Sequence, residues 1–321
     1  MTDKIDYICS VAERKCSDLE RFPGYFRFKK LETLNIIDKL GDTKNAVTLE
    51  IGCGTGFQSA ILAALFDKTI STDFLHFSKA THTIGLKSAR DITARLGISN
   101  LDHLACSALD LPFKDNSFSH VFLFGVLEHI DNKEAALKEI KRILKNDGIA
   151  ICSVPTYVES LFQFPALYLY ILKRTFDTIN TRVFKRKVNH KSIFFSNDND
   201  RAHRKPFDLV MAFFRNNPSF PFPEPHGDWK NKKGKQSIFV EFYAQLPWNW
   251  KRLFSRSGLK ISKSFGVLYI PYRIIEIFSP RFLTWLFYNT QFLHREFADS
   301  LLKYFSTVIC YVAKKQDDAL T

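Results

Sequence analysis

The sequence predicts an α/β fold in which a parallel sheet carries helices on both faces. Two observations make that prediction. Between residues 46 and 155, apolar strand-like runs alternate with helix-like stretches, the pattern of parallel strands joined by crossover helices. The first of these strands ends in Gly52-Cys53-Gly54-Thr55-Gly56 and opens a helix. Folds that hold a nucleotide-like cofactor at the carboxyl end of a strand use such a turn.

Taken in order, residues 1–45 read as an N-terminal helical segment, because Leu31, Leu34, Ile36, Ile37 and Leu40 give a helix-like apolar face. Gly41-Asp42 breaks it. A first strand covers 46–51 and a helix runs from Phe57 through Phe66. The second strand is Thr69 to Asp73, followed by a helix over Ser78 to Leu96 and a third strand from Leu101 to Cys106. His120 to Phe124 is the fourth strand, Lys133 to Leu144 a helix, and Ile149 to Val154 the fifth strand, with Asn146-Asp147-Gly148 read as the helix stop.

Beyond Pro155 the alternation lapses. Residues 156–246 form an aromatic, basic insertion with prolines at 218, 221, 223 and 225. Regular pattern returns in 247–314, with a helix from Trp248 to Ser257 stopped by Gly258, then a strand from Lys260 to Ile270. An apolar helical insertion over 271–303 precedes a last strand from Thr307 to Ala313.

Composition narrows the function. The 321 residues suit one elaborated domain or two small ones. Phe occurs 32 times and the formal net charge is +13, an excess that points to an acidic partner: nucleic acid, anionic lipid or a phosphorylated substrate. Simple solubility is the plainer explanation of the charge. Six scattered cysteines without a C-x-x-C pair argue against a disulfide framework or a zinc site and for a reducing compartment. The polar start of the chain and the lack of a long apolar run predict a cytoplasmic protein, peripheral at most on the inner membrane face.

The glycine turn leaves bare backbone N–H groups at a helix N-terminus and room for a close ligand approach. A dehydrogenase would prefer G-x-G-x-x-G, whereas the third glycine here comes one residue early and Phe57 follows. A GTPase or kinase reading fails for want of Gly-Lys-Ser/Thr after the turn. About twenty residues on, Asp73 ends the second strand, where a carboxylate accepts both hydroxyls of a ribose.

Val47-Thr48-Leu49-Glu50-Ile51-Gly52-Cys53-Gly54-Thr55-Gly56 resembles motif I of class I S-adenosylmethionine-dependent methyltransferases, with Glu50 as the acidic residue ending the first strand. Ala108-Leu109-Asp110-Leu111-Pro112-Phe113 resembles that family's adenine-flanking stretch. Gly125-Val126-Leu127-Glu128-His129-Ile130 resembles the segment facing the methyl-transfer site. The order and spacing resemble the type 11 branch of small-molecule and lipid methyltransferases. The resemblance implies a Rossmann-like seven-stranded sheet whose seventh strand is antiparallel, with insertions after strand five and between strands six and seven. It implies S-adenosylmethionine as cofactor, held by Glu50, Gly52, Cys53, Gly54, Thr55, Gly56, Asp73, Phe74, Ser107, Ala108, Leu109 and Asp110. Ser107 stands where many relatives carry an acid for the adenine amino group, so either Ser107 or Asp110 takes that role. Phe118-Ser119 replaces a frequent Phe-Asp, a change of packing rather than chemistry.

Methyl transfer from a sulfonium needs alignment and, for oxygen or nitrogen acceptors, removal of a proton. His129 is the first candidate base, and Glu128 beside it orients the substrate or caps the next helix. A loop-holding hydrogen bond is the structural alternative for His129. Tyr157, after strand five, and His226, in Pro225-His226-Gly227-Asp228-Trp229, are candidate substrate contacts. No metal is required.

The apolar run from Leu161 to Leu172 is too short to span a bilayer, and ten Lys/Arg against three Asp follow between Lys173 and Lys205. Leu268 to Phe297 is a second aromatic stretch. Two readings fit both segments: a lid over the acceptor site, or contact with an anionic membrane surface. The expected acceptor is a small or amphiphilic molecule, lipid-linked or glycan. An RNA methyltransferase and a non-catalytic binder of the cofactor are the alternatives, and nucleic acid is disfavoured because no RNA-binding module is legible.

Overall fold

The computed structural model describes residues 2–19, 25–40, 46–74, 85–163, 165, 168–169, 237–269 and 297–316. Its centre is a seven-stranded sheet in the order β3-β2-β1-β4-β5-β7-β6. The strands are β1 (Val47–Ile51), β2 (Lys68–Asp73), β3 (Leu101–Ala105), β4 (Phe118–Phe124), β5 (Leu144–Pro155), β6 (Leu259–Leu268) and β7 (Val308–Lys315). β1 through β5 pair in parallel, and β7 runs antiparallel to both neighbours. The described helices are α1 (Thr2–Lys15), α2 (Tyr25–Ile37), α3 (Phe57–Leu65), α4 (Leu86–Leu96), α5 (Lys133–Ile143), α6 over 157–163, α7 (Ile238–Ala244) and α8 (Pro247–Arg256).

Strand alternation divides the core into two faces. Val121, Leu123 and Cys152 pack against Leu137, Ile140 and Ile143 of α5 and against Trp250 and Phe254 of α8. Phe122, Phe124 and Ile151 face the other way, against Ile36 and Ile37 of α2 and Leu62 of α3. The N-terminal segment is thus part of the main body: Ile5, Ile8 and Ala12 of α1 close over Phe26, Phe57 and Ile61.

One local expectation needs correction. Asn146-Asp147-Gly148 is not a helix stop but lies inside β5, which begins immediately after α5. Leu144 leaves the helix in extended conformation (ψ 142) and is fully buried opposite Phe118. Its burial draws the chain into the sheet before the turn-forming residues are reached. The pairing then shifts register between Phe118 and His120, so Asn146-Asp147-Gly148 forms an irregularity in the strand. Gly148 is suited to it, because a Cβ there would stand 3.0 Å from the Phe118 carbonyl oxygen.

Register places the functional edge. Pro155 pairs with Val308, and Val308 with Leu268. The end of β5, the start of β7 and the end of β6 therefore form one row. That row belongs to the carboxyl edge of the parallel strands, where the glycine turn also lies and where an open α/β sheet binds ligands. Among the described residues no helix is long and apolar enough to cross a membrane.

Candidate active site

The glycine turn is built from three left-handed residues, Gly52 (φ 76), Gly54 (φ 52) and Gly56 (φ 80). They have different duties. A Cβ at Gly52 would lie 2.5 Å from a Val126 methyl, and one at Gly56 would lie 2.6 Å from the Ala89 Cα. Both glycines let neighbouring elements close. A Cβ at Gly54 meets nothing within 4 Å. Space beside that one backbone unit is open, which fits a cofactor lying against it.

Cys53 is less exposed to that space than its position in the motif suggests. Its side chain packs with Leu86 and Ala89 of α4, and its N–H donates to the Thr72 carbonyl at 3.0 Å. Burial raises its thiol well above the ordinary range, with the charges of Glu50 and Asp73 adding to the effect. Thr55 is also inward: its hydroxyl accepts the Phe57 N–H at 3.4 Å, at the start of α3, and lies 3.3 Å from the Tyr25 hydroxyl.

The two acidic residues of the motif sit in contrasting surroundings. Glu50 is buried on the α3 side of β1 and accepts a hydrogen bond from the Ser59 hydroxyl. Burial pushes its carboxyl up to about 7 against the lowering effect of Ser59. Asp73 is half-buried at the end of β2, and its oxygens accept the N–H of Gly54 at 2.8 Å and of Phe74 at 2.7 Å. Burial raises the Asp73 carboxyl, and these two backbone donors oppose the rise. Each oxygen keeps a lone pair for a further donor, so the ribose-binding role remains open to it. Phe74 beside it is exposed.

β2 and β3 end together, Asp73 opposite Ala105, which brings the stretch after β3 alongside Phe74. Ser107 and Asp110 close a small turn there: the Ser107 hydroxyl accepts the Leu109 N–H at 3.1 Å, and its carbonyl accepts the Asp110 N–H at 3.2 Å. Leu109 and Asp110 are exposed, and Ser107 and Ala108 half-buried. The turn is held from below. Arg142 of α5 donates to the carbonyls of Phe113 (2.7 Å) and Leu111 (2.8 Å), while Glu139 accepts the Leu111 N–H at 3.0 Å.

After β4, Gly125 (φ 66) turns the chain into a short 3-10 helix, Leu127–His129. Val126 seats this turn on Gly52. Glu128 is 2 % exposed, and its Oε2 has no hydrogen-bond partner among the described residues. Burial pushes its carboxyl up to about 8 against the lowering charges of Lys133 and Lys29. His129 is the outward member, with its side chain 43 % exposed and Nε2 4.0 Å from Glu128 Oε1. Tyr157, at the start of α6, meets Phe242 of α7 edge to face at 5.8 Å. His226 lies outside the described residues.

Tyr25, Ser59 and Arg142 escaped the sequence reading. Tyr25 and Ser59 sit on helices whose only legible signal is apolar periodicity. For Arg142 the spacing to Glu139 hinted at a helix pair, but not at the loop they jointly hold.

Residues 49–152 match the family model described as Methyltransferase domain. The uncharacterized protein MJ1252 of Methanocaldococcus jannaschii is 28% identical over 206 residues, covering 60% of this chain and 72% of that one. The demethylmenaquinone methyltransferase of Bacillus velezensis is 28% identical over 148 residues. That match covers 46% of this chain and 59% of the relative, so the chain spans less than two thirds of that enzyme. The geranyl diphosphate C-methyltransferase of Streptomyces coelicolor A3(2) superposes with a TM-score of 0.48 at 12% identity, over 92% of this chain and 83% of that one. The domain match spans the turn carrying Gly54, the strand carrying Asp73 and the turn carrying Glu128, all on a sheet whose one reversed strand lies between β5 and β6. Residues 49–152 of this chain thus match a methyltransferase domain, set on a seven-stranded sheet with one reversed strand.

Proposed function

We propose that the acceptor is an amphiphilic small molecule, lipid-linked or glycan-bearing, whose polar reacting group is held between Glu128 and His129. The observation that carries this reading is the buried Glu128 carboxyl with one oxygen unpartnered, set beside an exposed histidine in a turn that packs on the glycine loop. A buried polar atom without a partner is costly unless something completes it. Tyr157 at the start of α6 and Phe242 within α7 form a ring pair, which supplies apolar surface. A polar head on an apolar body suits that combination. The Bacillus velezensis relative is named for demethylmenaquinone, which agrees with such an acceptor.

When bound, S-adenosylmethionine supplies a methyl group already activated by its sulfonium. Gly54 would offer the backbone against which it lies, Asp73 the acceptors for its ribose, and Phe74, Ser107, Ala108, Leu109 and Asp110 the surroundings of its adenine. Glu128, still protonated near neutral pH, donates a hydrogen bond that orients the acceptor's oxygen or nitrogen. His129 would accept the proton given up by the acceptor's oxygen or nitrogen. The expected cover of the acceptor site, 156–246 and 271–303, lies for the most part outside the described residues.

The test is partition of label. Membrane extract incubated with enzyme and methyl-labelled cofactor should carry label into the organic phase. Label in the nucleic-acid fraction would favour the RNA reading. Cofactor binding without transfer to any fraction would favour a non-catalytic binder.

A further inference from the structure

We propose that the rim formed by α6, α7, α8 and the 3-10 turn Leu301–Phe305 is a docking surface for an anionic lipid bilayer. Four structural facts converge on it. The elements are tied into one surface: Ser160 and Gln163 of α6 donate to Glu241 of α7, at 3.3 and 3.1 Å. Asn249 of α8 donates to the Tyr243 carbonyl, and Lys251 lies 3.3 Å from the Tyr304 hydroxyl. The surface is apolar where it meets solvent, with Leu301 81 % and Trp248 59 % exposed and Leu161, Tyr243 and Phe305 exposed with them.

Among the described residues its exposed charges are cations apart from Asp299, which borders it and is paired with Lys39. Lys251, Arg252 and Lys303 are its cations, and Lys251 and Lys303 lie 5.7 and 5.5 Å from the centre of the Tyr304 ring. The carboxylates of the same helices, Glu159 and Glu241, are buried. On α8, Trp248, Lys251 and Arg252 share a face by their three- and four-residue spacing. Finally, the rim includes the segments adjoining the row Pro155, Val308 and Leu268, at the carboxyl edge of the parallel strands.

Aromatic rings, exposed leucines and cations at one level match the headgroup boundary of a bilayer, where rings sit among headgroups and ammonium groups meet lipid phosphate. Nucleic acid is the poorer occupant. It would use the cations and rings, but a leucine as exposed as Leu301 has no part in base stacking. This surface is independent of which acceptor is methylated, although the membrane would bring a lipid-linked acceptor to the same edge.

The experiment is sedimentation of the full chain with phosphatidylglycerol-containing vesicles and with pure phosphatidylcholine vesicles. Binding should favour the anionic vesicles and weaken as salt rises from 0.05 to 0.5 M, roughly the range over which screening shortens below 10 Å. Lys251→Glu with Lys303→Glu should weaken binding by about twenty-five-fold or more, as about fivefold per lost cation implies. Trp248→Ala with Leu301→Ser should weaken binding at every salt concentration. Both double variants should bind cofactor like the parent, which shows the fold intact. Vesicle binding unchanged in both, or no vesicle binding by the parent at low salt, overturns the proposal. Label partition reads the acceptor separately, so a water-soluble product would overturn the proposed acceptor and leave this surface standing.

Discussion

The carboxylate of Asp73 accepts the backbone N–H of Gly54 at 2.8 Å, which joins the end of β2 to the apex of the glycine turn. The residue expected to hold a ribose therefore also shapes the loop against which the cofactor lies. Asp73→Asn keeps one acceptor for Gly54 but loses charge and a second acceptor, whereas Asp73→Ala loses both. Calorimetric titration should show cofactor binding about tenfold weaker for Asn and about a hundredfold weaker for Ala, about 1.4 and 2.7 kcal/mol. Equal affinity in all three proteins would remove Asp73 from the site.

The three glycines should separate by phenotype. Gly56→Ala drives a methyl against Ala89 and should lower the melting temperature by several degrees, as a loss of about 1–3 kcal/mol does. Gly54→Val meets open space, so its folding cost is the left-handed backbone alone, about 1–2 kcal/mol. Its cofactor affinity should fall by about a hundredfold or more, since about 3 kcal/mol of close contact is lost. Thermal melts alongside titrations distinguish the two outcomes.

Buried carboxyls make stability depend on pH in a stated direction. Burial raises Glu50 from 4.5 to about 7 and Glu128 from 4.5 to about 8. The folded protein thus holds protons that the unfolded chain has released, and stability falls as pH rises. The stabilisation is complete below about 4.5 and is lost as pH passes through 7 for Glu50 and 8 for Glu128. Denaturant melts of the cofactor-free protein between pH 5 and 8.5 should show this decline. Glu50→Gln should flatten the lower part of the curve and Glu128→Gln the upper part. An increase in stability over that range for the parent would contradict the burial of these groups.

His129 and Glu128 should differ in kinetics. With an oxygen or nitrogen acceptor, His129→Asn removes the proposed base and should lower kcat by about a hundredfold or more without changing cofactor affinity. Glu128→Gln keeps a hydrogen-bond donor and should mainly raise KM for the acceptor. If His129→Asn retains full kcat, the histidine is a loop residue and the proton leaves by another route.

Arg142 offers a structural test remote from the reacting atoms. Arg142→Ala leaves the Phe113 and Leu111 carbonyls without their donor, and loss of charge-assisted hydrogen bonds of this kind costs about 1.5–3 kcal/mol. Cofactor affinity should fall with stability, because the stretch after β3 loses its support. Arg142→Lys reaches fewer of these groups and should recover only part of the loss.

Legibility followed the range of the interactions. The turn at Gly52-Cys53-Gly54-Thr55-Gly56 and its fit between strand and helix are local, and sequence shows them directly. The different duties of the three glycines are not local, because Val126 and Ala89 decide them from elsewhere in the chain. Asn146-Asp147-Gly148 has every mark of a stop, yet the burial of Leu144 opposite Phe118 outweighs turn preference. Glu50 reads as a site acid, while only the folded core reveals Ser59 beneath it. The N-terminal helices were visible from their periodicity, but the 3.3 Å approach of Tyr25 to Thr55 depends on how α2 lies across α3.

Pro155 and Leu268 are aligned through Val308, and the two long excursions of the chain begin after those two residues. Both leave from strand ends rather than from within the paired stretches of β5 and β6, and the first returns through α8, whose Trp250 and Phe254 rejoin the core. Gly54, Asp73 and Glu128 all precede residue 155, so sequence change beyond 155 and 268 can alter the acceptor's surroundings while the donor side stays in place. A graft at either junction would have to return α8 and β7 to their places, because Trp250, Phe254 and Tyr311 belong to the core.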